Sequence, residues 1–282
     1  MIAQKFDYSA PKTLDEALGL LAEGAKPLAG GMSLIPMMKL RLAAPEHVVD
    51  LGRLKELNYI REDHGNLLIG ATATHFDVET SAIVKSKCPL LAQTAGCIGD
   101  VQVRNKGTIG GSVAHADPSA DYPAALQALE AKVVLQSSKG QRTVAIDDFF
   151  VDTFTTSIEP DEIIREIVVP VDGSHVNYEK MAQIASGFAV VGVAVRIQKS
   201  GGKVTMARIG VTGLSNRAYR ARDAEKALEG TAGSAADVQT AAALVDQGAE
   251  ANADIHASAS FRRHLARVYA ARSLGSALAR NA

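Results

Sequence analysis

Apolar residues recur at helical spacing in TLDEALGLLAEG, where Leu14, Ala17, Leu18 and Leu21 fall on one face. Thr13 stands at the N-cap position with Glu16 three residues on, the arrangement of a capping box, and Gly24 offers a stop. The segment KPLAGGMSLIPMMKLRL is a short apolar run ending in Gly30 and Gly31, then a second apolar stretch, and reads as strand, turn and helix. HVVDL and NLLIGATAT read as strands, while VETSAIVKSKCPLLAQTAGCI has helical length and spacing interrupted by Pro89. Farther on, PAALQALEA predicts a short helix, KVVLQSSKGQRTVAI a hairpin turning at SSKG, and DEIIREIVVP a segment ending in a strand.

The texture changes after Pro170 and VDGSH. AVVGVAVRIQ and KVTMARIGVTGL are two long strand patterns joined by KSGG, and helical patterns follow at AYRARDAEKALEG, ADVQTAAALVDQGAE and SFRRHLARVYAARSLGSALAR. Strands followed by a run of helices predict a C-terminal α+β domain over 177–282, behind an N-terminal domain over 1–176. In the last helix, Arg262, Arg263, Arg267 and Arg272 ride on a frame of Leu265, Val268, Tyr269 and Leu274 and read as a solvated or interface face.

Composition narrows the function classes. With 47% apolar and 22% charged residues over 282 positions, a sizeable buried core is expected. A net charge of -1 supplies no basic face to neutralise phosphates, so nucleic acid is not an expected partner. No apolar run approaches the roughly 20 residues of a membrane span, and MIAQKFDYSAPKTLDEA has no charged region leading into an apolar stretch; the expectation is a soluble cytoplasmic protein. The two cysteines, Cys88 and Cys97, are too few for a disulfide framework, a four-thiolate cluster or a structural zinc, and read as small buried residues. Metal chemistry is therefore expected on another chain.

Two turns share one pattern, AGGMS at 29–33 and TIGGS at 108–112: a double glycine followed within two residues by serine. Glycine supplies conformations other residues resist, successive N–H groups in such turns make a concave anion site, and the serine adds a hydroxyl. Neither turn fits the nicotinamide-type or P-loop spacing. Either alone reads as an ordinary tight turn. A matched pair is better explained by one extended, doubly charged ligand gripped from two sides, as a dinucleotide pyrophosphate would be. The acids that follow have their own readings: Asp117 as a turn residue, Ser119 and Asp121 as caps of the helix near Tyr122, or Asp121 as acceptor of a ribose hydroxyl. His115, Asp117 and Asp121 as metal ligands would leave the glycines unexplained.

AGGMSLIPMMKLRLAAPEHVVDL, QVRNKGTIGGSVAHADPSADYPAAL and GFAVVGVAV, in this order and over essentially the whole chain, resemble the FAD-binding medium subunits of the molybdenum hydroxylases, the xanthine dehydrogenase family, and within it the carbon monoxide dehydrogenase type. The resemblance implies an α+β protein: a vanillyl-alcohol-oxidase-type (PCMH-like) flavin domain of two subdomains, and a C-terminal domain with a three-stranded antiparallel sheet and helices. FAD would lie between them. Pro27, Leu28, Ala29, Gly30, Gly31, Met32, Ser33 and Leu34 match the family's first pyrophosphate loop, with Met32 where related chains often carry a polar residue. Thr108, Ile109, Gly110, Gly111 and Ser112 match the second loop, and Asp121 the acid behind it. Ile98, Ile164 and Lys180 fall where the family has further flavin neighbours; Lys180 would bring a positive charge to the flavin, or is a surface lysine.

What the resemblance implies is electron transfer. Substrate would be hydroxylated at a molybdenum cofactor on a large subunit, and electrons would pass through two-iron, two-sulfur clusters on a small subunit to FAD here and on to an external acceptor, in a dimer of heterotrimers. No residue reads as a catalytic acid, base or nucleophile. A stand-alone flavin oxidase would need one, for which His75 and His115 are the candidates, and a scaffold without flavin would leave the glycine turns without a purpose.

Overall fold

The computed structural model describes residues 2–279 and places them around two β-sheet cores and a small third one. The N-terminal part begins with a parallel sheet of short strands, Asp7–Ser9, His47–Asp50 and Lys26–Leu28 in that spatial order. Helix Leu14–Ala22 covers it, burying Leu14, Ala17, Leu18 and Leu21 as the sequence spacing requires, against Val49, Leu51, Leu54 and Leu57. Thr13 caps this helix through its hydroxyl, which accepts from the Glu16 N–H. Glu16 itself turns to the Lys12 N–H instead of Thr13, so only half of the capping box forms.

The larger N-terminal subdomain is a five-stranded antiparallel sheet, Ile60–Asp63, Asn66–Gly70, Ile163–Pro170, Lys132–Ser137 and Gly140–Ala145 in spatial order. The predicted hairpin turns at Ser138 and Lys139, within SSKG. The helical stretch VETSAIVKSKCPLLAQTAGCI, expected to be interrupted at Pro89, is interrupted twice and falls into three short helices, His75–Thr80, Ala82–Lys87 and Pro89–Gly96. Ser81 leaves helical conformation to cap the second, and Cys88 leaves it ahead of Pro89, whose ring disfavours a helical predecessor. Helix Tyr122–Leu129 is buried on every side, which is why PAALQAL shows no polar face. It lies between the five-stranded sheet core and the C-terminal sheet so closely that a Cβ on Gly210 would sit 2.0 Å from the Ala124 carbonyl oxygen.

The C-terminal sheet has four antiparallel strands, not three: His175–Ala182, Ala189–Ser200, Lys203–Thr212 and Tyr219–Arg220. The fourth comes from the first residues of AYRARDAEKALEG, and helix starts only at Arg222–Leu228. Two residues are too few to show a period, which hides this edge strand in sequence. Helices Ala235–Ala242 and Ala259–Ala279 complete the domain; Arg280, the end of the predicted last helix, lies outside the described residues. The arginines of that helix are not one solvated face. Arg262 is 3% exposed and donates to the Val190 and Gly213 carbonyls and to Asp254. Arg263 and Arg267 both bind Asp246, and Arg272 lies over the Tyr269 ring. Cys88 is buried as expected, whereas Cys97 is exposed. No helix among the described residues is long and apolar enough to cross a membrane.

Candidate functional site

Strand Lys26–Leu28 runs into the first double-glycine turn, which ends at helix Leu34–Lys39. Gly31 adopts φ +73°, a conformation that favours glycine. Gly30 is glycine for another reason: a Cβ there would sit 1.9 Å from the Lys106 carbonyl oxygen. The turn is thus pressed onto the backbone that leads into the second one. Among the described residues, no backbone N–H from Ala29 to Leu34 donates to a protein acceptor, and the Ser33 hydroxyl caps nothing. A run of six such donors on partly exposed backbone could hold an anion. Met32, 40% exposed, adds no polar group, and Pro27 and Leu28 form the strand end behind the turn.

The second turn is built differently from the expectation. Gly110 and Gly111 do not have positive φ; they are the first turn of helix Ile109–His115, capped by the Thr108 hydroxyl, which accepts from the Gly111 N–H at 3.1 Å. The Ile109 and Gly110 N–H groups go to the Ala73 and Ala71 carbonyls at 3.0 and 2.9 Å. Gly110 has no side chain because Ala71 occupies its place, with the Ala71 carbonyl oxygen 2.6 Å from a Cβ built there. Only the Thr108 N–H of this turn has no acceptor among the described residues, and the Ser112 hydroxyl is likewise unengaged there. The two turns nonetheless face each other, since a Cβ on Gly111 would lie 3.9 Å from that of Ala29. The first is a cradle of free N–H groups, and the second is its wall.

The acids behind the second turn join the two halves of the chain. Asp117 accepts from the Ser119 N–H at 2.8 Å, the turn role expected of it. Thr212 Oγ1 lies 2.8 and 2.7 Å from the Pro118 and Ala120 carbonyl oxygens, the Gly213 N–H donates to Pro118 and the Ala189 N–H to Ser119. The stretch 117–121 is thereby latched to the C-terminal sheet. Neither Ser119 nor Asp121 caps the following helix; Asp121 is helical itself and its carboxylate makes no cap bond.

Asp121 instead is 4% exposed and accepts from the Tyr178 hydroxyl at 2.5 Å and from Lys180, with Nζ 2.9 Å from Oδ1. Burial pushes its carboxyl up from the usual range, opposed by the Lys180 charge and by both hydrogen bonds. Lys180 is no surface lysine. Its side chain is buried, and besides Asp121 its ammonium donates to the Cys97 and Gly187 carbonyls at 2.8 and 2.6 Å, which occupies all three N–H groups. Ile98, half-buried, follows the carbonyl that Lys180 binds, so Ile98, Asp121 and Lys180 share one neighbourhood. Ile164 is buried in the main core, on the strand against which helix Ile109–His115 lies. Tyr178 and Thr212, which the sequence reading missed, join Asp121 and the stretch before it. Tyr178 was legible, standing two positions before Lys180 on the same strand face; Thr212 carries no comparable signal.

The candidate acid–base histidines lie beside the second turn with their rings packed against aromatic neighbours. His75 is buried, 5.4 Å ring to ring from Tyr122, with Nε2 against Gly107, and His115 stacks on Phe154 at 4.9 Å.

Residues 4–172 match the family described as the FAD binding domain in molybdopterin dehydrogenase, and residues 176–277 the CO dehydrogenase flavoprotein C-terminal domain. The carbon monoxide dehydrogenase medium chain of Hydrogenophaga pseudoflava is 42% identical over 285 residues, covering 99% of each chain. The glyceraldehyde dehydrogenase medium chain of Sulfolobus acidocaldarius is 37% identical over 271 residues, 95% of this chain and 96% of that one. Among solved structures, carbon monoxide dehydrogenase from Hydrogenophaga pseudoflava superposes with a TM-score of 0.97 at 44% identity over the whole of both chains. The flavin-domain fold expected from the sequence stands, with its C-terminal companion carrying four strands. The chain belongs to the FAD-binding medium subunits of the molybdenum hydroxylases.

Proposed function

We propose that the chain is the electron-transfer flavin subunit of a cytoplasmic, multi-subunit oxidoreductase, taking electrons from two-iron, two-sulfur clusters on a small partner and passing them to an external acceptor. Substrate oxidation belongs to a large molybdenum-bearing partner, and the assembly is a dimer of heterotrimers. The relatives named as medium chains support the partners, and a chain with two cysteines cannot ligate the clusters itself. On this reading the chain divides at 176/177, with the cofactor at the junction.

The observation that carries the proposal is the run of free N–H groups from Ala29 to Leu34 facing the Thr108–Ser112 wall. These donors would hold the pyrophosphate of FAD, with the Thr108 N–H and the hydroxyls of Ser33 and Ser112 beside them. Asp121 and Lys180 would stand at the flavin end with Ile98 and Ile164. FAD, when bound, supplies the redox chemistry, accepting and releasing electrons one or two at a time. The protein orients it, excludes water and sets the local charge. A stand-alone oxidase would require an acid or base acting on substrate; the His75 ring is buried against Tyr122 and the His115 ring stacks on Phe154.

The test is direct. The purified chain is expected to show a flavin absorption spectrum, and the complex isolated from its own cells to contain iron and molybdenum on other polypeptides. A colourless chain that takes up no FAD would overturn the cofactor reading; flavin without any iron or molybdenum in the native complex would overturn the partners.

A further inference from the structure

Tyr178 lies on strand His175–Ala182 with its hydroxyl turned inward, 2.5 Å from Asp121 Oδ1. Room for that oxygen exists because position 192 on the neighbouring strand is glycine: a Cβ there would lie 2.4 Å from the phenol oxygen. The phenol is 7% exposed, and burial together with the Asp121 charge pushes its titration well above the ordinary range, so it stays a donor. A buried carboxylate remains ionised only through its partners. Asp121 has two, Tyr178 and Lys180, and Lys180 in turn ties Asp121 to the Cys97 and Gly187 carbonyls. The other titratable groups around it are Cys97, at the end of helix Pro89–Gly96, and Tyr122 beside it, with Glu179 and Arg104 facing Cys97. From the neighbouring strands of the same sheet come Gly192 and Thr212, which carry no charge.

We propose that Tyr178 is a positioning residue of the flavin site, holding the Asp121 carboxylate against Lys180 and so fixing the ammonium between the turn at 97–99 and the loop at 183–188. The proposal rests on Asp121 and Lys180 being cofactor residues. Loss of the phenol hydroxyl leaves Asp121 with one partner, so it takes up a proton closer to neutral pH; the protonated carboxyl no longer orients Lys180.

FAD titration of the full apo-chain, followed by flavin fluorescence at pH 8 and pH 6, tests this in Tyr178→Phe, Asp121→Asn and the double variant, with circular dichroism as a check on folding. Tyr178→Phe should lose more affinity than wild type between pH 8 and pH 6, and at pH 6 should bind about tenfold more weakly than wild type. Asp121→Asn should bind weakly with no pH dependence, and adding Tyr178→Phe to it should change affinity less than twofold, because the tyrosine acts only through the carboxylate. Gly192→Ala, which keeps the phenol but displaces its oxygen, should reproduce the Tyr178→Phe pH profile. A Tyr178→Phe chain with wild-type affinity at both pH values, or effects that multiply independently in the double variant, overturns the positioning role. A wild-type chain that takes up no FAD overturns the cofactor reading and this role with it, an outcome distinct from flavin binding with independent variants.

Discussion

Gly30 and Gly19 are both glycines without positive φ, yet they do opposite things. Gly19 is exposed within helix Leu14–Ala22 with nothing within 4 Å of a would-be Cβ, so Gly19→Ala should raise stability by about 0.5–1 kcal/mol, the helical cost of glycine relative to alanine. Gly30→Ala must push the first turn off the Lys106 carbonyl, costing about 1–3 kcal/mol as overpacking does and disturbing the free N–H run as well. Denaturant unfolding and flavin content measured together separate them: Gly30→Ala should lower both, Gly19→Ala neither. His75 offers a second test. Burial, with a smaller contribution from the Arg104 charge, pushes its imidazole down from 6.5 to about 4, and its Nδ1 has no hydrogen-bond partner among the described residues. Because the unfolded chain binds the proton more tightly, this neutral imidazole stabilises the fold fully above about pH 6.5, and the contribution is lost as pH falls toward 4. Between pH 7 and 4 the wild type should therefore lose about 3 kcal/mol more than His75→Gln, read from unfolding midpoints at each pH.

At the scale of elements, the long C-terminal helix Ala259–Ala279 is held by charges its own pattern does not explain. Asp246 is 3% exposed and receives Arg263 and Arg267; burial pushes its carboxyl up, but the hydrogen bonds of Arg267 and Arg263 outweigh that and hold it below the usual range. Asp246→Asn keeps the shape and removes the charge, and should cost about 1.5–3 kcal/mol with the loss concentrated in this helix. Hydrogen exchange that speeds up over the helix more than over strand Ile163–Pro170 would bear this out, and uniform exchange would count against it. The helix spacing was legible in the sequence, as were the hairpin at SSKG and the buried face of Leu14–Ala22. The fate of the arginines was not, because Asp246 and Asp254 approach them from a loop whose path no local periodicity specifies.

At the scale of the molecule, the stretch 117–121 fastens one half to the other. Thr212, 1% exposed, bridges the Pro118 and Ala120 carbonyls, and nearby Arg196, Arg208 and Arg220 of the C-terminal sheet converge on Glu130 at the end of helix Tyr122–Leu129. Thr212→Val removes the hydroxyl at nearly constant volume and takes away the one donor shared by the Pro118 and Ala120 carbonyls, a cost of about 1–3 kcal/mol. On the proposed function it should also loosen FAD, since Asp121 lies at the end of the same latch. Parallel measurement of unfolding midpoint and flavin retention checks it; a destabilised variant with full retention would mean that the latch serves folding alone.

What the sequence by itself determined is local or compositional: helix faces, hairpin turns, the two glycine turns, a cysteine count too low to ligate an iron–sulfur cluster, and the motif blocks that identify the family. Those features depend on the order of nearby residues, which dictates period, backbone freedom and capping. Tertiary structure alone decided what each glycine makes room for. At Gly31 it is a turn conformation, at Gly30 and Gly110 it is the backbone of a distant segment, and one turn therefore keeps its N–H groups free while the other gives them to Ala71 and Ala73. It also decided that Lys180 is buried and saturated and that Tyr219–Arg220 is a strand. The physical reason is the same in each case: a hydrogen bond or a close contact is settled by both partners, and here the second partner lies far along the chain, 83 residues away for the Lys180–Cys97 contact and 94 for Thr212–Pro118.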